Sequence, residues 1–225
     1  MIIRDCEQGS DEWLALRLGH VTSSGADNVL PMSALFPAEK STRDNKESRD
    51  DYALRLAIER ITGVPADDSF KSVAMERGTR LEPSARERYR AEHPDYEVIT
   101  PGFLVAPGGQ RLGDSPDGIV LGAEGCFIGG WEGKCPSPRV HQGYRDAGVV
   151  PRAYLRQMLH HLTVVETAQW WDFTSFHPLF PGRTAWFEVR LERHAAQAQL
   201  DIYRAALVEF LKDVDALEAR LRGEA

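Results

Sequence analysis

The sequence predicts an α/β fold of the α+β kind, a central mixed β-sheet flanked by helices. Three observations lead there. Strand-like runs occupy 96–106, 110–121, 128–135 and 168–176, with a fifth at 184–192. A helical run, 151–166, lies between the third and fourth, with Pro151 at its first turn, where a missing N–H costs nothing. A long helical run from about 194 to 222 follows the fifth strand. At 225 residues the chain reads as one domain, 1–225, large enough for a substantial core.

The N-terminal part reads as helical. Residues 10–18 form a short helix with Ser10 as N-cap and Trp13, Leu14 and Leu16 as apolar positions. Thr22-Ser23-Ser24 starts a second helix reaching about Leu30. Residues 31–50 are polar and charged and read as a loop, with Lys40, Arg43 and Lys46 among its cations. Residues 51–62 make an amphipathic helix with Leu54, Leu56, Ala57 and Ile61 inward. Residues 72–92 are helical too, but Pro83 predicts that the helix starts or kinks there.

Composition sets bounds. No run of about 18 apolar residues occurs, so no membrane span is expected. Met1-Ile2-Ile3-Arg4-Asp5 lacks a signal-peptide layout. Cys6, Cys126 and Cys135 make no even framework and no CxxC, which points to free thiols in a cytosolic protein. The net charge of −7 argues against tight, non-specific coating of DNA. A channel that takes up DNA needs only a local basic lining, so the distribution of charge decides, not its sum.

The chemistry concentrates in Ser115-Pro116-Asp117-Gly118 and Trp131-Glu132-Gly133-Lys134-Cys135. Side chains alternate along a strand, so Glu132 and Lys134 project from one face. If the Asp117 segment pairs beside them, two carboxylates and an ammonium converge. Carboxylate oxygens suit Mg²⁺, with Mn²⁺ as a substitute, and such an ion can activate water and neutralise a phosphodiester's charge. Lys134 adds a point charge at the same place. Gly129-Gly130 before the motif leave room for close approach of a ligand or backbone. Tyr154, Gln157 and His161 share one helix face. His160 and His161 are read as satisfied or exposed histidines and stay outside the site, and Cys135 reads as packing.

Three blocks then carry a resemblance: Glu7-Gln8-Gly9 with Trp13, Leu16-Arg17-Leu18-Gly19 and Thr22-Ser23-Ser24; Gly78 through Glu82, the Asp117 segment and Glu132-x-Lys134-Cys135-Pro136; and Ala153-Tyr154 with Gln157. In this order, over about 7–161, they resemble the phage lambda exonuclease or YqaJ-type viral recombinase family of PD-(D/E)xK nucleases. The C-terminal strand and long helix, 184–222, lie beyond these motifs.

The resemblance implies a restriction-endonuclease-like core and a Mg²⁺-dependent 5′→3′ exonuclease on double-stranded DNA ends. Such an enzyme releases 5′-mononucleotides and leaves 3′ single-stranded tails for recombination. Asp117 and Glu132, with the Gly133 carbonyl, would hold metal; Lys134 would orient the attacking water or stabilise the transition state; and Glu82 would supply a further acid. Arg17, Ser24, Ser115 and Gln157 would grip the terminal 5′-phosphate, with Tyr154 as support. A ring-shaped homotrimer, a single-strand annealing partner protein, and a phage or prophage origin within a bacterial cytoplasm are implied in the same way. Gly133 replaces a bulkier apolar residue, and the glycine-containing 118–131 connection suggests an extended hairpin. Alternatives from other classes are an endonuclease or nickase of the same superfamily, a non-catalytic DNA-end-binding module, and a Mg²⁺ phosphohydrolase acting on nucleotides.

Overall fold

A computed structural model describes residues 2–37, 48–66, 73–108 and 111–224. Lys40, Arg43 and Lys46 lie outside the described residues. The chain opens with β1 (Ile2–Arg4) and α1 (Asp11–Arg17). The Ser10 side chain caps α1, accepting from the Trp13 N–H at 3.2 Å. The expected second helix is a 3₁₀ turn, Ser23–Gly25, running into α2 (Ala26–Val29). Pro31 then separates α3 (Met32–Leu35), a short helix inside the stretch read as loop. Next is α4 (Arg49–Thr62), capped by Ser48 and ended by Gly63 in the left-handed region at φ 68. α5 (Val73–Glu92) runs unbroken through Pro83, whose missing N–H leaves the Thr79 carbonyl without its usual helical donor.

The strands differ from expectation in their breaks. The run 96–106 is two strands, β2 (Glu97–Ile99) and β3 (Phe103–Val105), in different sheets. Pro101 removes a donor between them, and Gly102 packs so tightly that a Cβ would stand 2.4 Å from the Cys6 carbonyl oxygen. The run 110–121 likewise divides at Pro116 into β4 (Gly113–Asp114) and β5 (Gly118–Leu121). After these come β6 (Phe127–Lys134), α6 (Pro138–Ala147), α7 (Arg152–Val164), β7 (Trp170–Phe176), β8 (Trp186–Glu192) and α8 (Gln197–Arg222). β1 and α6 were not foreseen: β1 is only three exposed residues, and α6 buries only His141.

The larger sheet has the order β2-β5-β6-β7-β8 and is mixed, because β6 and β7 are parallel and the other pairs antiparallel. β5 and β6 form the expected hairpin, joined by a turn in which Glu124 takes a positive φ of 60. A smaller antiparallel sheet has the order β1-β3-β4.

Helices cover both faces of the larger sheet. On one face Trp171, Phe173 and Ile119 pack with Leu155, Met158 and Leu162 of α7, and this core continues to α4 and α8. On the other, Ala85 and Tyr89 of α5 pack on Trp131, Val120 and Trp170. Trp131 is wholly buried, stacked on Tyr89 at 5.1 Å, with its indole N–H donated to Thr174 Oγ1 at 2.7 Å. Its face of β6 is therefore apolar, and Glu132 and Lys134 point to the opposite face, toward α7.

The glycines of β6 serve this packing. A Cβ on Gly129 would lie 2.3 Å from the Trp170 ring, and one on Gly130 would lie 2.3 Å from the Trp171 ring. The expectation that these two glycines admit a ligand is thus corrected, since indoles occupy the space. Gly133 follows the same logic, its absent Cβ lying 2.5 Å from Trp131 Cζ2.

Candidate active site

The hairpin brings Asp117 beside the end of β6. Asp117 Oδ2 accepts the Gly133 N–H at 2.7 Å, which ties the turn before β5 to the strand carrying Glu132 and Lys134. The Lys134 ammonium is hydrogen-bonded to Glu132 Oε1 and lies 5.1 Å from the centre of the Tyr154 ring. Tyr154 thus gives the cation an aromatic face and itself stacks on Phe173.

Asp117, Gly133, Lys134, Glu82, Tyr154 and Gln157 all line one cavity of about 1010 Å³, which Ser24 also borders. Glu82 reaches it from α5 and accepts from Arg86, one helical turn on, at 2.5 Å.

Electrostatics separate the two carboxylates. Burial and then the Glu132 charge push the Asp117 carboxyl up to about 8. Burial works against charge on Glu132 as well, but Lys134 and His161 outweigh it and hold that carboxyl well below its usual range. Lys134, held by both acids against the cost of burial, has its pKa raised. The donor set fits a hard divalent cation: two carboxylates close enough to disfavour double ionisation, with the main-chain carbonyl of Gly133 directly after the second.

Three of the four residues expected at the 5′-phosphate come together. Arg17 donates to Ser24 Oγ at 3.0 Å, to Thr22 Oγ1 at 3.3 Å and to Ser115 Oγ at 3.4 Å. Its guanidinium stacks on Trp13 at 4.1 Å, and the Trp13 indole donates to Ser115 Oγ at 2.8 Å. Among the described residues no carboxylate forms an ion pair with Arg17, and burial lowers its pKa. A cation packed among neutral hydroxyls is suited to an incoming anion. Gln157 is placed differently: its amide donates to Glu132 Oε1 at 2.7 Å.

Sequence reasoning missed Asp114 and His161. His161 is fully buried, with Nδ1 2.6 Å from Asp114 Oδ2 and Nε2 3.0 Å from Glu132 Oε2. Burial opposes a charge on this ring, but Asp114 and Glu132 outweigh it and push its pKa up to about 10. The available signal was the helical spacing of Tyr154, Gln157 and His161. His160 is satisfied structurally, against Tyr203 Oη at 3.0 Å and the Gly113 carbonyl at 2.9 Å.

A second group rich in ligand atoms, His93, Asp172 and Glu188, lies elsewhere. There Arg190 holds Asp172 through two nitrogens at 2.7 and 2.8 Å, and Tyr89 donates to it at 2.8 Å. The guanidinium already supplies the cation, so this group reads as a structural network.

A mixed sheet carrying an acid–acid–lysine cluster at the end of a central strand defines a nuclease-type fold. Residues 12–168 match the YqaJ-like viral recombinase domain, and the chain belongs to that family. Among solved structures it is similar to an alkaline exonuclease, LHK-Exo, from Laribacter hongkongensis. The identity is 31% and the TM-score 0.72, covering 96% of this chain and 100% of that one. The same figures hold for LHK-Exo in complex with dAMP. A phage-related exonuclease from Haemophilus somnus 129PT shares the fold at 13% identity and TM-score 0.59, over 90% of this chain and 96% of that one. No curated protein sequence matches it.

Proposed function

We propose that this chain is a metal-dependent exonuclease acting on double-stranded DNA ends in the 5′→3′ direction. It releases 5′-mononucleotides and leaves 3′ single-stranded tails for phage-type recombination. The observation that carries this reading is that Asp117, Lys134 and Ser24, which accepts from Arg17, border one and the same cavity. An end-specific hydrolase needs both a site for the reacting phosphodiester and a site for the terminal anion. The complex of the similar Laribacter exonuclease with a mononucleotide, dAMP, fits the proposed product.

Asp117 and Glu132 would hold Mg²⁺, with the Gly133 carbonyl as a further donor. The ion supplies Lewis acidity toward water and phosphoryl oxygens. Lys134, fixed by Glu132 and the Tyr154 ring, presents a positive charge where negative charge develops in the transition state. Gln157 holds Glu132 Oε1 in place. Glu82 contributes a third acid at the rim and adds to the charge that raises the Asp117 carboxyl. Arg17, with Ser24 and Ser115, receives the 5′-phosphate and so selects the end and sets the polarity.

No helix among the described residues is long and apolar enough to cross a membrane. A ring-shaped homotrimer, a single-strand annealing partner and a place in the bacterial cytoplasm belong to this reading as the family expectation, and light scattering of the purified protein tests the trimer. Polarity is tested with a linear duplex labelled at one 5′ or one 3′ end, beside closed circular DNA. Early release of the 5′ label with the circle intact supports the proposal. Cutting of the circle moves the reading to an endonuclease or nickase, and binding of ends without cutting moves it to an end-binding module.

A further inference from the structure

We propose that His161 is a positioning residue for the metal-binding carboxylate Glu132, an inference that rests on the nuclease reading above. The ring sits on α7 with no exposure, and each of its nitrogens faces a carboxylate oxygen, Asp114 Oδ2 at 2.6 Å and Glu132 Oε2 at 3.0 Å. Both ring nitrogens are thus within hydrogen-bond distance of an acid, so the imidazole bridges Asp114 and Glu132. Stacking on Trp171, at 4.6 Å and 11° between planes, fixes the plane in which it donates.

The consequence falls on Glu132. Its Oε2 is engaged by His161, while Oε1 takes Lys134 and Gln157, both of which border the cavity. Glu132 is buried behind the residues that line the cavity, and Oε1, the oxygen bonded to the cavity-lining Lys134 and Gln157, is the one left on the side a cation would approach, in a fixed orientation. Mg²⁺ demands near-ideal octahedral geometry, so holding a ligand to one oxygen and one angle matters more for it than for a flexible cation. Groups that orient metal ligands by hydrogen bonding commonly contribute 10–100-fold to affinity or activity.

The same ring connects the two halves of the site. Asp114 Oδ1 accepts the Ser115 N–H at 2.9 Å, and Ser115 Oγ accepts from Arg17 at 3.4 Å. One hydrogen-bonded chain thus runs Arg17–Ser115–Asp114–His161–Glu132. His161 ties β4, which ends just before Ser115, to β6, which carries Glu132.

The test measures Mn²⁺ binding to the intact protein by the paramagnetic signal of the free ion, in wild type, Glu132→Gln and His161→Gln. Wild type binds, Glu132→Gln loses binding, and His161→Gln binds about 10–100-fold more weakly. In His161→Gln, kcat at low metal falls and recovers as metal is raised, while KM for duplex ends stays within about twofold of wild type. Wild-type Mn²⁺ affinity in folded His161→Gln overturns the positioning role and leaves the nuclease reading standing. Absence of binding in wild type, or unchanged binding in Glu132→Gln, overturns the metal-site reading itself, and the positioning role with it. If His161→Gln does not fold, ¹⁵N spectra of the wild-type ring decide: a shift of the ring nitrogens on addition of Mg²⁺ supports the role. A ring indifferent to Mg²⁺ overturns it.

Discussion

Asp117 Oδ2 accepts the Gly133 N–H at 2.7 Å, so the carboxylate of one segment is anchored to the main chain of the strand that carries Glu132 and Lys134. This anchor holds two acids together, and Asp117 responds with a carboxyl raised to about 8 by burial and by Glu132. In the metal-free protein the proton on Asp117 is bound more tightly folded than unfolded. Its stabilising contribution is full below about pH 4 and is lost as pH rises through about 8. A cation at this site displaces that proton. Mg²⁺ affinity should therefore climb by up to about tenfold per pH unit between pH 6 and 8 and level off above. Calorimetric titration in buffers of different ionisation enthalpy reads the proton released. Affinity that is flat over this range, with no proton released, would contradict the account.

Lys134 is assigned to charge stabilisation and not to metal binding. Lys134→Ala should lower kcat by about 10²–10³, the cost of losing one preorganised electrostatic group. The protein should keep its fold by circular dichroism and still bind Mn²⁺. Wild-type cutting by this variant would remove Lys134 from the chemistry.

Among the described residues Arg17 hydrogen-bonds to hydroxyls, stacks on the Trp13 ring and forms no ion pair, so its charge is available to an anion. Arg17→Ala should erode the preference for 5′-phosphorylated over 5′-hydroxyl ends by about tenfold to a hundredfold, as expected for a charge-assisted bond of about 1.5–3 kcal/mol. The change should appear mostly in KM. Competition between the two ends in one reaction measures it, and an unaltered ratio would place the 5′-phosphate elsewhere.

Gly133 is required by its neighbour. A methyl group there would stand 2.5 Å from Trp131 Cζ2, and Trp131 is pinned by Tyr89 and Thr174. Gly133→Ala should cost about 1–3 kcal/mol through overpacking, with about 2–4 °C of melting temperature lost per kcal/mol in a protein of this size. Thermal melts of the metal-free protein check this, and an unshifted melt would mean that the indole can move aside.

Much of the site was legible because strand alternation is local. Glu132 and Lys134 had to share a face, and the hairpin of β5 and β6 had only to bring Asp117 alongside. Arg17, Ser24 and Ser115 came from the family resemblance, since nothing local joins residues so far apart in sequence. The Asp114–His161 contact was not legible: a buried acid and a buried histidine become partners only when β4 packs under α7. The breaks at Pro101 and Pro116 were visible as residues, but not as a change of sheet, which depends on Gly102 packing against β1. Glycines 129 and 130 gave a misleading signal, because a small residue under a tryptophan looks in sequence like one beneath a ligand. The unbroken α5 shows the converse, with helix packing against the sheet overriding the local cost of Pro83.

The most direct test of the central claim is digestion of a linear 5′-phosphorylated duplex by wild type and Asp117→Ala, with Mg²⁺ and then with EDTA. The account predicts 5′-mononucleotides from wild type with Mg²⁺, none with EDTA, and none from a folded Asp117→Ala. Mononucleotide release by Asp117→Ala, or by wild type in EDTA, would contradict it.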